Sequence, residues 1–301
     1  MPQSKIFLIT GATAGIGRST VGHLLSRGHR VIATGRRPQA LEALRREHPG
    51  AQLDTVVLDV DDIPSIERAA AEVAALTGGH GVDVLVNNAG YGLVGPLLEI
   101  SDDDLRAQYQ TNVFGLMAVT RAFVPAMLTR GAGRVVNVSS IGGRFTFPFM
   151  GAYNSTKYAV ESLSDALRAE LAPLGVQVAL VEPGPIRTEF SDRAMGLVER
   201  HKSQASRWAG VYANTAAVQG RVDATSVPPL AVARAIERAG IARRPRARYV
   251  VPGAARLLLA LVALLPTRIT DALLSRIIGL TSRNVRRGAS PEQPMETRTA
   301  A

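Results

Sequence analysis

The feature that most constrains the fold is an alternation of short apolar runs with helix-length amphipathic segments through the first 180 residues. The apolar runs are rich in valine and isoleucine and cover residues 5–9, 30–33, 53–58, 82–86, 134–138 and 176–181. The segments between them predict helices near residues 15–27, 39–47, 63–76, 102–129 and 152–172. Near-continuous apolar strands separated by helices are typical of a parallel sheet that is covered on both faces. The sequence therefore predicts an α/β fold with a doubly wound parallel sheet.

A glycine-rich turn follows the first predicted strand and opens the first predicted helix. It reads Thr10-Gly11-Ala12-Thr13-Ala14-Gly15-Ile16-Gly17. Glycines at such a junction allow a tight turn and let the backbone approach a pyrophosphate at the N-terminus of the helix. A glycine-rich turn alone is a weak signal, but its position directly after strand one favours a dinucleotide site.

The end of the second predicted strand indicates which dinucleotide is preferred. NAD-selective folds place a carboxylate there for the ribose hydroxyls, whereas this chain reads Gly35-Arg36-Arg37. A guanidinium suits a 2′-phosphate, which it grips with charge-assisted hydrogen bonds. We therefore expect NADP(H), held by Arg36 and Arg37 with Arg18 assisting, although a solvated turn is the alternative reading.

Tyr153 and Lys157 are spaced to share one face of a helix, with their Cβ atoms roughly 5–6 Å apart. A nearby ammonium favours the phenolate, so we expect it to lower a tyrosine pKa that is ordinarily about 10. Such a tyrosine can exchange a proton with an alcohol or ketone oxygen. Only three lysines occur among 35 basic residues, which makes a point-charge ammonium here notable. An exposed Tyr–Lys pair without function is the alternative.

Further short motifs occur in order along the chain. They are Leu58-Asp59-Val60, Asn87-Asn88-Ala89-Gly90, Asn112, Ser140 thirteen residues before Tyr153, and Pro183-Gly184 with Thr188. Together with the glycine turn and the Tyr–Lys pair, these motifs resemble the short-chain dehydrogenase/reductase family over residues 5–190. The resemblance implies a single Rossmann-type sheet of about seven strands, flanked by helices, with a helical C-terminal extension.

The resemblance also implies roles for individual residues. The catalytic set it implies is Asn112, Ser140, Tyr153 and Lys157, in which Ser140 binds the substrate oxygen, Tyr153 transfers the proton, and Asn112 supports a water that links Lys157 to solvent. The cofactor-binding set it implies is Gly11, Thr13, Ala14, Gly15, Ile16, Gly17, Arg36, Arg37, Asp59, Val60, Asn88, Ala89, Gly90, Tyr153, Lys157, Pro183, Gly184, Ile186 and Thr188. The implied enzyme is an NADP-dependent oxidoreductase.

A finer resemblance concerns residues 91–97 and the long tail, which look like the branch holding 17β-hydroxysteroid and retinol dehydrogenases. That branch implies a lipophilic ketone, aldehyde or secondary alcohol as substrate, enclosed by an irregular lid over residues 188–225. Candidate lining residues, which could equally be core, are Phe145, Phe147, Phe149, Met150 and Trp208. Two alternatives stay open: a 3-oxoacyl-thioester reductase of the same family, and a non-catalytic NADP(H)-binding sensor or scaffold.

Composition excludes several other classes of site. The chain has no cysteine, so it has neither disulfides nor a thiolate nucleophile, and its five histidines are scattered without metal-ligand spacing. We expect no metal. The first residues run directly into an apolar strand too short for a secretory signal, so we expect a cytoplasmic protein.

Basic charge is concentrated near the C-terminus. Residues 1–240 carry a net charge of +2 and residues 291–301 one of −1, whereas residues 241–290 hold 10 arginines against one aspartate. The same stretch contains the most apolar run, 254–265, which favours peripheral contact with an anionic membrane over nucleic acid. A solvated basic tail, docking onto the protein body, covering of the pocket and homo-oligomer contact are alternatives.

The predicted organisation is a catalytic Rossmann domain over residues 1–252, followed by an amphipathic and apolar helical extension over 253–287. Residues 288–301 are expected to be disordered.

Overall fold

The computed structural model describes residues 4–189, 206–212, 214–282, 284 and 285, with residues 215 and 216 described by their backbone alone. Within these residues, seven strands form one sheet with the order β3-β2-β1-β4-β5-β6-β7, and every neighbouring pair is parallel. The strands are β1 (Ile6–Ile9), β2 (Arg30–Gly35), β3 (Leu53–Val57), β4 (Val84–Asn87), β5 (Gly133–Val138), β6 (Val176–Pro183) and β7 (Arg248–Val251). The predicted doubly wound sheet is confirmed.

Helices cover both faces of the sheet and continue beyond its last strand. They are α1 (Gly15–Ser26), α2 (Pro38–Glu47), α3 (Ile63–Leu76), α4 (Asp102–Tyr109), α5 (Leu116–Arg130), α6 (Gly151–Leu171), α7 (Ala209–Tyr212), α8 (Thr215–Thr225), α9 (Pro229–Ile241), α10 (Ala255–Leu264) and α11 (Thr267–Ile278). The last two form the predicted helical extension. Outside the described residues lie the predicted tail, 288–301, and part of the predicted lid, 190–205 and 213.

The helix expected over 102–129 is interrupted by a π-helical turn, Gln110–Gly115, which joins α4 to α5. The turn passes close to the loop after β3, since a Cβ on Gly115 would lie 2.6 Å from the carbonyl oxygen of Val60. π-helical turns inside α-helices frequently occur at functional sites. Residues 102–130 are also long and apolar enough to cross a membrane, but 50% of the most apolar window is buried inside the protein, as in a core helix.

Two apolar layers hold the helices to the sheet. Phe7 and Ile9 point to one face, where they are fully buried in a cluster with Val21 of α1 and Ile236 of α9. Leu8 points to the other face and packs in a second cluster with residues of α3 and α5. This division follows from strand geometry, in which successive side chains alternate between the two faces.

The order of the strands determines where a ligand can bind. The chain leaves β1 toward β2 and β3 on one side, then crosses to β4 on the other side of β1. In open parallel sheets a crevice forms at this switch point, outside the carboxyl ends of the strands. The glycine turn after β1, Asn88 after β4 and Ser140 after β5 all lie at that edge.

Candidate active site

A cavity of about 1310 Å³ opens at the carboxyl edge of the sheet. Most of the residues predicted for the site line it: Gly11, Thr13, Ala14, Gly15, Ile16, Arg36, Arg37, Asp59, Val60, Asn88, Ala89, Gly90, Ser140, Tyr153, Lys157, Pro183, Gly184, Ile186 and Thr188. Gly17 and Asn112 are not among the lining residues. Both are buried, and their assignment to the site stays a prediction.

The glycine turn forms a cradle that larger residues could not form. Gly11 and Gly15 have φ values of +63° and +50°, in the left-handed region that favours glycine. A Cβ on Gly17 would lie 2.2 Å from the Gly11 carbonyl oxygen, which leaves no room for a side chain. The first turn of α1 has neither a side-chain cap nor an acidic residue, so its N–H groups could bind an anion in the cavity. These features fit the pyrophosphate of a dinucleotide.

Asn88 holds the cradle in shape from the neighbouring strand. Its Nδ2 donates to the carbonyl oxygens of Thr10 at 2.9 Å and Gly11 at 3.3 Å. The Thr10 hydroxyl in turn accepts from the backbone N–H groups of Asn88 and Ala89, at 2.9 and 3.0 Å. The loops after β1 and β4 are thereby fixed to each other.

The other end of the cradle is basic. Arg36 and Arg37 are exposed and line the cavity where β2 ends. Arg18 does not line it, because Arg18 Nη2 lies 2.6 Å from Glu47 Oε1 at the end of α2. The structure therefore does not bring Arg18, which was expected to assist, to this site. Asp61 also lines the cavity, and sequence analysis missed it although it follows Asp59 by two residues. Burial raises the pKa of Asp61, while Arg36 opposes the rise.

Ser140, Tyr153 and Lys157 come together on the cavity wall. Tyr153 and Lys157 lie one turn apart in the first half of α6 and are only 7% and 6% exposed. Ser140 caps a short 3-10 turn after β5, and its side chain hydrogen-bonds to that of Tyr153. The Ser140 hydroxyl also accepts from Gly142 N–H at 3.0 Å. A carbonyl oxygen beside Tyr153 would meet two hydroxyl groups.

The ionisation of this pair differs from the expectation. Burial raises the pKa of Tyr153 to about 12, and the hydrogen bond from Ser140 only partly offsets that rise. Lys157 Nζ donates to the Val138 carbonyl oxygen at 2.9 Å and lies 5.8 Å from the centre of the Tyr153 ring. Burial lowers the pKa of Lys157 to about 8, with Glu161 opposing. The prediction that Lys157 holds the tyrosine pKa below 10 is wrong here, because burial dominates and the ammonium faces a backbone carbonyl.

Asn112 joins three elements behind the cavity wall. Its Nδ2 donates to the Tyr91 carbonyl at 2.9 Å and to Thr156 Oγ1 at 3.0 Å, and its Oδ1 accepts from Tyr91 N–H at 3.1 Å. Gln108 binds the same loop, accepting from Leu93 N–H at 2.8 Å and donating to the Tyr91 carbonyl at 2.6 Å. The loop after β4 is thus fastened to the π-helical turn and to α6. The predicted water relay through Asn112 stays a prediction.

A partly buried ionic cluster joins α6 to β6 and β7 and was not anticipated. Arg248 Nε lies 2.9 Å from Glu161 Oε2 and 3.1 Å from Glu182 Oε1, and its Nη2 lies 2.6 Å from Asp165 Oδ2. The Glu182 side chain has no exposed area, and burial together with Glu161 raises its pKa to about 6 while Arg144 and Arg248 oppose. The one signal in the sequence was an acid inside an apolar strand. Glu161 lies one turn after Lys157, so the cluster supports the catalytic helix.

The remainder of the cavity is largely apolar. Phe145, Phe147, Phe149 and Met150 line it, as the sequence allowed. Trp208 does not; it lines a separate surface groove with Leu97, Leu98 and Leu280. The predicted lid is partly helical rather than irregular, since α7 and α8 lie within it. These two helices and α11 contribute Val211, Tyr212, Val218, Val222 and Ile278 to the cavity.

Comparisons with known proteins agree with this architecture. The family model of short chain dehydrogenases matches residues 5–195. The chain is 36% identical to an uncharacterized oxidoreductase, YbbO, of Escherichia coli over 274 residues, which cover 90% of this chain and 94% of YbbO. It is 32% identical to an NADPH-dependent 3-dehydrocapnine reductase of Ornithobacterium rhinotracheale, covering 88% of this chain and 94% of that protein. The closed form of a serine dehydrogenase complexed with NADP+ is 30% identical with a TM-score of 0.70, covering 82% of this chain and 94% of that one.

Proposed function

This chain belongs to the short-chain dehydrogenase/reductase family, and from that premise we propose an NADPH-preferring enzyme that acts on a lipophilic ketone, aldehyde or secondary alcohol. Membership makes the protein an NAD(P)-dependent oxidoreductase with a Rossmann-type fold. The observation that carries the finer proposal is the meeting of Ser140, Tyr153 and Lys157 in a cavity that also holds a glycine cradle and an aromatic wall.

The preference for NADPH is argued from the residues at the end of β2. Arg36 and Arg37 line the cavity there, and no carboxylate occupies the position where NAD-selective folds bind the ribose. Two guanidinium groups can hold a 2′-phosphate through charge-assisted hydrogen bonds. The relative named as NADPH-dependent and the related structure complexed with NADP+ support this preference.

The reaction is derived from the ionisation of the buried residues. NADPH, when bound, supplies a hydride for the carbonyl carbon. Tyr153 holds its proton near neutral pH, because burial raises its pKa to about 12, and it donates that proton to the substrate oxygen. Ser140 fixes the oxygen by a second hydrogen bond. The Lys157 ammonium, 5.8 Å from the centre of the Tyr153 ring, offsets a part of the cost that burial places on the phenolate as it forms.

The substrate class is argued from the apolar wall. Phe145, Phe147 and Phe149 line one part of the cavity, and Val222 and Ile278 line another. Such a wall suits a steroid-, retinoid- or long-chain-carbonyl-like molecule, whose apolar surface it would remove from water. The resemblance to the 17β-hydroxysteroid and retinol dehydrogenase branch is part of this proposal.

The cavity gives less support to a 3-oxoacyl-thioester reductase. That reading needs arginines at the substrate mouth to bind a carrier phosphate. Among the described residues, the arginines that line the cavity are Arg36 and Arg37, beside the glycine cradle. Turnover of any carbonyl substrate would exclude the second alternative, a non-catalytic NADP(H)-binding sensor or scaffold.

The test follows NADPH oxidation by absorbance against ketosteroids, retinal, long-chain aldehydes and a 3-oxoacyl thioester, with NADH in parallel. We expect turnover on an apolar carbonyl, with NADPH preferred. Tyr153→Phe should lower kcat by about 100-fold or more, because the proton donor is lost, and should change the Kd of NADPH by less than about twofold.

Two results would count against the proposal. NADPH binding by fluorescence without turnover on any carbonyl would favour the sensor, and a Tyr153→Phe variant with more than about a tenth of the wild-type rate would remove the phenol from the chemistry.

A further inference from the structure

The outward side of α10 is unusual for a helix on a protein surface. Ala255, Leu259 and Val262 form its half-buried side, which faces the body of the protein. The opposite side carries Leu257, Leu261 and Leu264, which are 78%, 53% and 84% exposed. A surface helix normally presents charged or polar residues to solvent. This leucine face (Leu257, Leu261, Leu264) presents apolar residues instead.

The next helix in the chain, α11, also carries exposed apolar side chains. Leu274 and Ile278 form its buried stripe, whereas Ile269, Leu273 and Ile277 are 47%, 47% and 45% exposed. The other ten exposed large apolar side chains of the described residues are scattered between residues 57 and 230. Seven lie within residues 257–277, namely Leu257, Leu258, Leu261, Leu264, Ile269, Leu273 and Ile277. Such a concentration of exposed apolar side chains on two consecutive helices indicates an interaction site.

The charges around the patch indicate the kind of partner. Arg256, Arg268 and Arg276 are exposed on the two helices, and Asp271 is the single acidic residue of either. At about 100° per residue, Asp271 lies about 160° from Leu273, the centre of the exposed stripe of α11. Arg276 lies about 60° from Leu273 and borders the stripe, whereas Arg268 lies about 140° from it. Leucines flanked by arginines complement the acyl chains and anionic headgroups at a lipid surface.

We propose that the leucine face of α10 and the exposed stripe of α11 bind the interface of an anionic lipid bilayer. The two helices have 10 and 12 residues and are too short to cross the hydrocarbon core, which needs about 20, so they lie in the plane of the surface. Ile278 lines the cavity from α11. If the proposed function holds, an apolar substrate dissolved in the bilayer has a short path to the cavity.

A second copy of this chain is the competing occupant. Each copy carries Arg256, Arg268 and Arg276 on these two helices against the single acid Asp271, so pairing the patch with itself would be opposed by like-charge repulsion. An anionic lipid surface removes that repulsion and attracts the same three residues.

Flotation of the full-length protein with vesicles tests the proposal. One set of vesicles is phosphatidylcholine alone and the other contains an equal share of phosphatidylglycerol. We expect the wild type to float with the anionic vesicles at least about fivefold more than with the neutral ones. The triple variant Leu257→Gln, Leu261→Gln, Leu264→Gln should lose flotation by about tenfold or more, because the apolar contact is removed. Arg268→Gln with Arg276→Gln should lose the preference for anionic vesicles.

A matched control replaces exposed leucines elsewhere, in the triple variant Leu76→Gln, Leu128→Gln, Leu174→Gln, which should float like the wild type. Flotation needs no turnover, so its failure is distinguishable from failure of the proposed reaction. Absence of wild-type flotation, or equal loss in the control, would overturn the proposal. A dimer found by sedimentation analysis would also overturn the proposal if two conditions hold: the α10 triple variant abolishes the dimer, and anionic vesicles do not compete with it. The patch would then be a self-association surface.

Discussion

Replacing Arg248 with methionine removes the cation that lies between two buried carboxylates, those of Glu161 in α6 and Glu182 in β6. Methionine keeps a long apolar chain, so the main change is the loss of the guanidinium that contacts Glu161 at 2.9 Å and Glu182 at 3.1 Å. Removing one partner of a buried ion pair typically costs about 3–5 kcal/mol. The Arg248 side chain is 27% exposed, so we expect about 3 kcal/mol at pH 7.

The pH dependence of this loss in the free energy of unfolding identifies its cause. Burial raises the pKa of Glu182 from 4.5 to about 6, so the folded protein binds this proton more tightly than the unfolded chain. That difference of about 1.5 units is worth roughly 2 kcal/mol, gained as pH falls from about 7 to below 5. Without Arg248, which opposes the rise, the pKa increases further. The deficit of Arg248→Met should therefore shrink by about 1 kcal/mol or more between pH 7 and pH 5.

Urea unfolding at both pH values, followed by circular dichroism, measures the deficit. Arg246→Met is the matched control, since Arg246 is exposed two residues away, and it should stay within about 0.5 kcal/mol of the wild type. A deficit below about 1 kcal/mol at pH 7, or one that is equal at both pH values, would refute the reasoning.

Three further predictions concern the site itself. In the reductive direction kcat/KM should fall as pH rises through about 8, because Lys157 then loses its charge; a flat profile would remove the ammonium from the mechanism. Arg36→Asp should lower the NADPH-to-NADH ratio of kcat/KM by about tenfold or more, whereas Arg18→Ala should leave it unchanged. Gly17→Ala should cost about 1–3 kcal/mol of stability and weaken NADPH binding, because its Cβ would lie 2.2 Å from a carbonyl oxygen. Gly22→Ala in the same helix meets nothing closer than 3.6 Å and should be tolerated in thermal melts and NADPH titrations.

The local sequence was sufficient to predict the strands of the sheet. The valine-rich runs that predicted strands are strands to within about two residues, as expected of boundary assignments. The glycine turn could be placed because Gly11 and Gly15 need backbone conformations that other residues rarely adopt. The spacing of Tyr153 and Lys157 put both on one face of α6, since helix geometry fixes that relation regardless of surroundings.

Properties set by the rest of the molecule could not be read from sequence. The pKa of Tyr153 depends on how completely α6 is covered, and spacing carries no information on burial. Arg18 was assigned to the phosphate site because it follows the glycines, but Glu47 from the end of α2 pairs with it. The cluster around Arg248 joins α6, β6 and β7, so its members lie up to 87 residues apart in the chain.

The hydrogen bonds that hold Lys157 and Asn112 end largely on main-chain atoms. Lys157 donates to the carbonyl of residue 138, and Asn112 uses both the N–H and the carbonyl of residue 91. A substitution at either acceptor position changes a side chain but leaves the bonding atoms in place. A substitution at residue 91, whose side chain lines the cavity, would therefore alter what the enzyme accepts without removing the main-chain atoms that bind Asn112.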